Sequence, residues 1–279
     1  MAYTAEISRT NPSCFLFLID QSGSMDDPFG AGEPQRKKAD GVADAINRLL
    51  QNLVIKCAKS EGVRDYYYAG VIGYGSKVGP AFAGALAGKE LASISEIAEN
   101  PARVEERTKK VDDGAGGILD QTVKFPIWFD AVARGGTPMC EALRRAEKIV
   151  SAWVSEHSDS FPPIVINITD GESTDGDPSS AAEAVQRVGG SDGETLLFNV
   201  HLSSHGAAPI EFPDSETGLP DKYAELLFLT SSLLPSYLQT AARQEGYNVS
   251  DGSRGFVFNA DMVSVIRFLD IGTRPSNLR

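Results

Sequence analysis

Apolar residues along the chain fall into two alternating patterns, short unbroken runs and longer amphipathic stretches. The run Cys14–Ile19 contains no polar residue and stops abruptly at Asp20, which is typical of a strand buried on both faces of a parallel sheet. In the stretch 35–59, apolar residues recur at helical spacing, which predicts an amphipathic helix. Together they predict one α/β unit.

The same alternation continues through most of the chain. Further short apolar runs predict strands at 66–74, 163–168, 195–203 and 255–259. Further amphipathic stretches predict helices at 138–157, 178–188, 235–245 and 262–269. Because strands alternate with helices, we expect a doubly wound, mostly parallel α/β sheet with helices on both faces and one antiparallel edge strand.

Two stretches, 76–136 and 205–222, depart from this alternation and are interpreted as elaborations of a single domain spanning 1–279. The first is expected to contain an edge hairpin and a polar helix near 101–110. Its apolar segment 125–129 includes Trp128, which either packs in the core or forms a lid that binds a partner. No repeat or linker divides the chain.

Composition and charge exclude several classes of function. The 26 Lys and Arg against 38 Asp and Glu give a net charge of −12, which repels a phosphate backbone and argues against nucleic acid as a partner. The longest apolar stretch, 226–238, is too short to span a membrane, and 1–12 lacks the apolar core of a secretory signal. Three cysteines lie far apart in apolar surroundings, which favours free thiols and a cytoplasmic location.

Candidate chemistry lies where predicted strands end. Asp20, Ser22 and Ser24 follow the first strand, Asp170 follows the central strand, and Thr137 opens a helix. Ligands of open α/β sheets bind outside the carboxyl ends of the strands, so these side chains are expected to converge. All five carry hard oxygen atoms, the ligands that Mg²⁺ prefers. In the simpler alternative, the same residues are only helix caps and turn residues.

This pattern resembles the von Willebrand factor A (vWA) family, whose metal-ion-dependent adhesion site combines Asp-x-Ser-x-Ser, a distant Thr and an Asp-Gly after a central strand. The resemblance covers about 13–260. It implies a Mg²⁺-type ion, with Mn²⁺ or Ca²⁺ as alternatives, held directly by Ser22, Ser24 and Thr137. Asp20 and Asp170 would reach the ion mainly through waters, which leaves an open position that attracts a carboxylate.

The function implied is a non-catalytic, metal-dependent interaction module that binds an Asp or Glu of a protein partner. Resemblance to intracellular bacterial members of the family suggests an AAA+ ATPase or a kinase and phosphatase pair as partners. A Mg²⁺-dependent hydrolase is the alternative, with Glu172 as the nearby candidate base. A nucleotide-binding function would rest on fold analogy alone.

Two other motifs have simpler interpretations. The glycines at 73–79 have the wrong spacing for a dinucleotide loop and predict a hairpin turn at the sheet edge. The acidic stretch 170–177 resembles a calcium loop but has Ala181 where a bidentate Glu is required, so it is interpreted as an acidic rim and a helix cap.

Overall fold

A central sheet of eight strands organises the computed structural model, which describes residues 3–29, 36–112, 118–202 and 209–272. The strands used below are, in chain order, β1 (Ser13–Asp20), β2 (Tyr67–Tyr74), β3 (Val78–Pro80), β4 (Ala92–Ser93), β5 (Arg103–Asp112), β6 (Ile118–Ile127), β7 (Ile164–Thr169), β8 (Leu196–Leu202), β9 (Ile210–Glu211) and β10 (Phe256–Ala260). Two-residue ribbons also pair Pro28–Phe29 with Arg36–Lys37, Ala58–Lys59 with Gly62–Val63, and Gly189–Gly190 with Gly193–Glu194.

The order of the central sheet is β9-β10-β8-β7-β1-β2-β3, and β4 also pairs with β2. The five central strands are parallel, which confirms the doubly wound α/β fold. Antiparallel strands lie at both edges, because β3 and β4 pair with β2 and β9 pairs with β10. The sequence predicted only one such edge.

Helices cover both faces of this sheet. They are α1 (Lys38–Cys57), α2 (Ile94–Glu99), α3 (Met139–Glu156), α4 (Ser179–Gln186), α5 (Lys222–Leu229), α6 (Ser236–Gln244) and α7 (Met262–Gly272). Phe15, Phe17 and Ile19 of β1 join the core under α1, whereas Leu16 and Leu18 join the core under α3. This two-sided burial explains why the first strand is apolar at every position from Cys14 to Ile19.

The stretch 76–136 differs from its prediction at residues 101–110. Residues 101–110 were expected to form a polar helix, but β5 is a strand paired with β6 in antiparallel register from Arg103–Ile127 to Asp112–Ile118. The helix prediction is wrong because this segment has no apolar stripe at helical spacing, and the cross-strand ladder decides its conformation. The glycines at 73–79 form the β2–β3 hairpin, as predicted.

The segment that follows β6 belongs to the core. Trp128 and Phe129 are buried, and their backbone amides donate to Asn47 Oδ1 of α1 at 2.8 and 3.1 Å. The Asn47 amide also donates to the carbonyl of Phe129 at 2.8 Å. A buried amide satisfied in this way fixes the backbone that leads toward Thr137, and it excludes the lid interpretation of Trp128.

The second elaboration, 205–222, lies partly outside the described residues. Its end is ordered by Asp221, whose carboxylate accepts from the amides of Tyr223 and Ala224 and caps α5. Among residues 3–29, 36–112, 118–202 and 209–272, no helix is long and apolar enough to cross a membrane.

Candidate metal site

The first loop of the candidate site begins where β1 ends. Asp20 is 1% exposed and Ser22 3% exposed. One carboxylate oxygen of Asp20 accepts from the Ser22 amide at 2.8 Å, and the other accepts from the Thr169 hydroxyl at 2.7 Å. Asp20 therefore orients the serine loop and ties the end of β1 to the end of β7, its neighbour in the sheet.

Hydrogen bonds between side chains connect this loop to Asp170, which follows β7. The Ser24 hydroxyl donates to Asp170 Oδ1 at 2.7 Å, and the hydroxyl oxygens of Ser22 and Ser24 lie 3.0 Å apart. Four of the five residues singled out in the sequence therefore form one cluster at the carboxyl ends of two parallel strands, where the fold class predicts a binding site.

Thr137, the fifth residue, is buried in a loop that lies between the other two. Two residues earlier, the Gly135 carbonyl accepts from the amide of Gly23 at 3.0 Å. On the other side, the Thr137 amide donates to the Thr174 hydroxyl and the Thr137 carbonyl accepts from the Thr174 amide, each at 2.9 Å. The Thr137 loop is thus fastened by backbone contacts to both loops that carry the remaining candidate ligands.

The cap of α3 comes from a residue that the sequence analysis did not assign. The carboxylate of Asp175 accepts from the amides of Cys140 and Glu141 at 3.0 and 2.9 Å. Burial raises the pKa of Asp175, but these two amides and the Ser173 hydroxyl outweigh it and leave the pKa lowered. Because α3 has no cap from its own N-terminal residue, the interpretation of Thr137 as the helix cap is wrong.

Lys38 is the second residue that the sequence analysis missed. It is the first residue of α1 and is buried, with its Nζ 2.7 Å from Asp170 Oδ2 and 3.9 Å from Asp27 Oδ2. The signal was present in the sequence, because Lys38 lies four and eight residues before Val42 and Ile46 on the apolar stripe of the helix. A lysine on such a stripe needs a buried anion.

Charge in the cluster is not balanced. Burial raises the pKa of Asp20, and the negative charge of Asp170 adds to this, against the hydrogen bonds from Thr169 and Ser22. The cluster contains two buried carboxylates, those of Asp20 and Asp170, and one ammonium group, that of Lys38, which contacts Asp170. When both carboxylates are ionised, the cluster therefore lacks one positive charge, which a divalent cation would more than supply.

The donor set fits a small hard cation. It consists of the hydroxyls of Ser22, Ser24 and Thr137 and the carboxylates of Asp20 and Asp170, all oxygen ligands of the kind that Mg²⁺ prefers. In the part of the chain that the structure describes, no group of three or more His, Cys, Asp or Glu side chains could hold a metal ion. The three cysteines are free and buried.

Gly135 is required for the Thr137 loop to pack against the turn of the β2–β3 hairpin. Its φ is +96°, and a Cβ there would lie 2.3 Å from the backbone nitrogen of Ser76. We expect Gly135→Ala to lower the free energy of unfolding by about 2–4 kcal/mol, because the unfavourable φ and the backbone clash add. Urea denaturation monitored by circular dichroism measures this change.

The control for this prediction is Gly246→Ala. Gly246 has a similar φ of +91°, but a Cβ there would meet nothing within 4 Å, so only the conformational cost of about 1 kcal/mol is expected. Equal losses of stability in the two variants would contradict the close approach of the Thr137 loop to the β2–β3 hairpin.

Comparison with known proteins gives structural similarity only. No protein-family model matches the sequence, and no curated protein matches it significantly. Among solved structures, the three N-terminal domains of the type V pili tip protein Mfa5 from Porphyromonas gingivalis match with 14% identity and a TM-score of 0.32, over 58% of this chain and 20% of that chain. The vWF domain of the same protein matches with 14% identity and a TM-score of 0.30, over 58% of this chain and 39% of that chain.

Proposed function

We propose that this protein is a non-catalytic, vWA-type interaction module that binds an acidic side chain of a protein partner through a divalent metal ion. The observation that carries the proposal is the hydrogen-bonded cluster of Asp20, Ser22, Ser24 and Asp170 at the ends of β1 and β7. The Thr137 loop is fastened beside it, and the net charge of the cluster favours a cation.

In this mechanism the hydroxyls of Ser22, Ser24 and Thr137 would hold the ion, and the carboxylates of Asp20 and Asp170 would lie behind them. When bound, the metal supplies a Lewis-acid position that a carboxylate ligand can occupy. Asp20 keeps the serine loop in place through the Ser22 amide. Because the hydroxyls that would hold the ion are neutral, much of its charge would remain available to the partner.

The contacts of Glu172 favour binding over hydrolysis. Glu172 is exposed, and its hydrogen bond to the hydroxyl of Tyr223 raises the pKa of that tyrosine. A general base should instead lie within hydrogen-bond reach of a water at the metal.

An AAA+ ATPase or a kinase and phosphatase pair as partner, and a cytoplasmic location, belong to the same proposal.

Titration with metal tests this function directly. We expect Mg²⁺ to give a saturable heat of binding in isothermal titration calorimetry and to raise the melting temperature relative to EDTA. At a free concentration of 100 times Kd, the stabilisation should be about 2.7 kcal/mol. A melting temperature that is the same in EDTA, Mg²⁺, Mn²⁺ and Ca²⁺ would contradict the proposal.

Partner capture provides the second arm of the test. The chain is immobilised and incubated in Mg²⁺ with a lysate of its own host. The partner protein that it captures should then elute with EDTA. Turnover of generic phosphoesters that is lost in Glu172→Gln would favour the hydrolase instead.

A further inference from the structure

A cleft of about 560 Å³ opens beside the candidate metal site. Gln21, the residue before Ser22, lines it together with Arg134, three residues before Thr137. The β2–β3 hairpin contributes Lys77 and Val78 to the same lining. The cleft therefore borders two of the three loops that carry the candidate ligands.

Backbone hydrogen bonds hold the two walls of the cleft together. The Arg134 amide donates to the Gln21 carbonyl at 2.6 Å, and the Arg134 carbonyl accepts from the Ser76 amide at 3.0 Å. Gly75 has no room for a side chain, because a Cβ there would lie 2.6 Å from the Gln21 carbonyl oxygen and 2.7 Å from the Arg134 carbonyl oxygen. The basic side chains of Lys77 and Arg134 thus extend from backbone that is fixed to the serine loop.

The charge of the cleft is opposite to that of the whole protein. Lys77 and Arg134 are exposed, and neither forms an ion pair with any residue that the structure describes. Arg145 also lines the cleft and is paired with Glu90. The acidic residue of the lining, Asp130, is paired with Arg103 at 2.7 Å. In a chain of net charge −12, two unpaired cations in one cleft select for an anionic ligand.

We propose that this cleft binds a second carboxylate of the same partner segment that reaches the metal. The partner surface is then an extended, acidic protein segment, with one carboxylate at the metal and another between Lys77 and Arg134. The metal-bound end of the segment rests on the proposed function, whereas the cationic cleft does not depend on it. Two contacts on one segment also restrict its orientation, because the sites bind simultaneously only at matching spacing.

Fluorescence anisotropy with labelled octaglutamate tests the proposal, in low salt with either Mg²⁺ or EDTA. Wild-type protein is expected to bind octaglutamate but not octaglutamine. The double variant Lys77→Glu with Arg134→Glu should bind at least about tenfold more weakly, because reversal places like charges opposite the ligand. Binding should also weaken as salt is raised, since both contacts are ionic.

The control reverses two exposed cations on α1, Arg48→Glu with Lys56→Glu, which changes the net charge by the same amount. This control should retain wild-type affinity. Equal affinity of the cleft variant and the wild type, or the absence of octaglutamate binding to the wild type, would overturn the cleft. If the cleft variant loses octaglutamate binding and the wild type binds equally well in EDTA and in Mg²⁺, the result supports the cleft and contradicts metal-dependent capture. If octaglutamate binding is lost in EDTA but not in the cleft variant, the result supports metal-dependent capture and contradicts the cleft.

Discussion

Replacing Asp20 by asparagine together with Thr137 by alanine is expected to weaken Mg²⁺ binding by at least about 100-fold. The first change removes a buried negative charge behind the serine loop, and the second removes a candidate ligand hydroxyl. Calorimetry measures the affinity, and the melting temperature in Mg²⁺ against EDTA measures the same loss independently. The double variant should have the same melting temperature in Mg²⁺ as in EDTA.

Folding of this variant is expected to be preserved without metal. Burial and the charge of Asp170 raise the pKa of Asp20, so an ionised carboxylate at position 20 costs stability when no cation is present. The asparagine retains the size of the side chain and removes that cost. An unfolded double variant would contradict this account of the site.

The matched control is Asp120→Asn with Thr122→Ala, the same two chemical changes at two exposed positions of β6. Its affinity for Mg²⁺ should equal that of the wild type. Within the site, Thr137→Ser should retain binding, because serine keeps the hydroxyl. Undiminished affinity in the Asp20 and Thr137 double variant would overturn the assignment of these two residues.

Prediction from sequence worked best for the buried parallel strands. A strand such as β1 sends alternate side chains into two separate cores, so every position from Cys14 to Ile19 is apolar and the run is easily recognised. The β5–β6 hairpin was not recognised, because Val104 and Leu119 are exposed and neither strand has one consistently buried face. Its conformation comes from pairing with a distant segment, which a local pattern does not contain.

The candidate site also contains residues that the sequence predicts and residues that it does not. Asp20, Ser22, Ser24 and Asp170 could be grouped in advance, because each follows a strand and parallel strands end at one edge of the sheet. Lys38 contacts Asp170 across 132 positions of sequence, and Asp175 caps α3 across 35. Such pairs depend on how helices and loops pack, so the local spacing of residues does not specify them.

Lys38→Met is expected to strengthen Mg²⁺ binding by at least about tenfold. The Lys38 ammonium lies 2.7 Å from the Asp170 carboxylate, and both side chains are almost fully buried. A divalent ion entering the cluster is therefore repelled by a positive charge that is already present. Even moderate screening leaves a cost of at least about 1.4 kcal/mol for charges several ångströms apart. Methionine keeps most of the packing and removes that charge, and calorimetry measures the gain in affinity.

Stability should change in the opposite direction when metal is absent. Removing one partner of a buried ion pair leaves the Asp170 carboxylate uncompensated, which costs about 3–5 kcal/mol. The Lys38→Met variant should therefore melt below the wild type in EDTA, and Mg²⁺ should raise its melting temperature by a larger amount. A smaller rise than in the wild type would mean that Lys38 positions Asp170 for the metal and does not compete with it.

Lys37→Met is the control, because Lys37 precedes Lys38 and pairs with Asp26 on the surface, where both side chains are more than half exposed. An exposed pair contributes little to stability and is screened by solvent, so this variant should match the wild type in EDTA and in Mg²⁺. If both lysine variants gained affinity equally, the effect would come from the overall charge near α1. A gain confined to Lys38→Met would identify its ammonium as a tethered cation that occupies part of the electrostatic role of the metal.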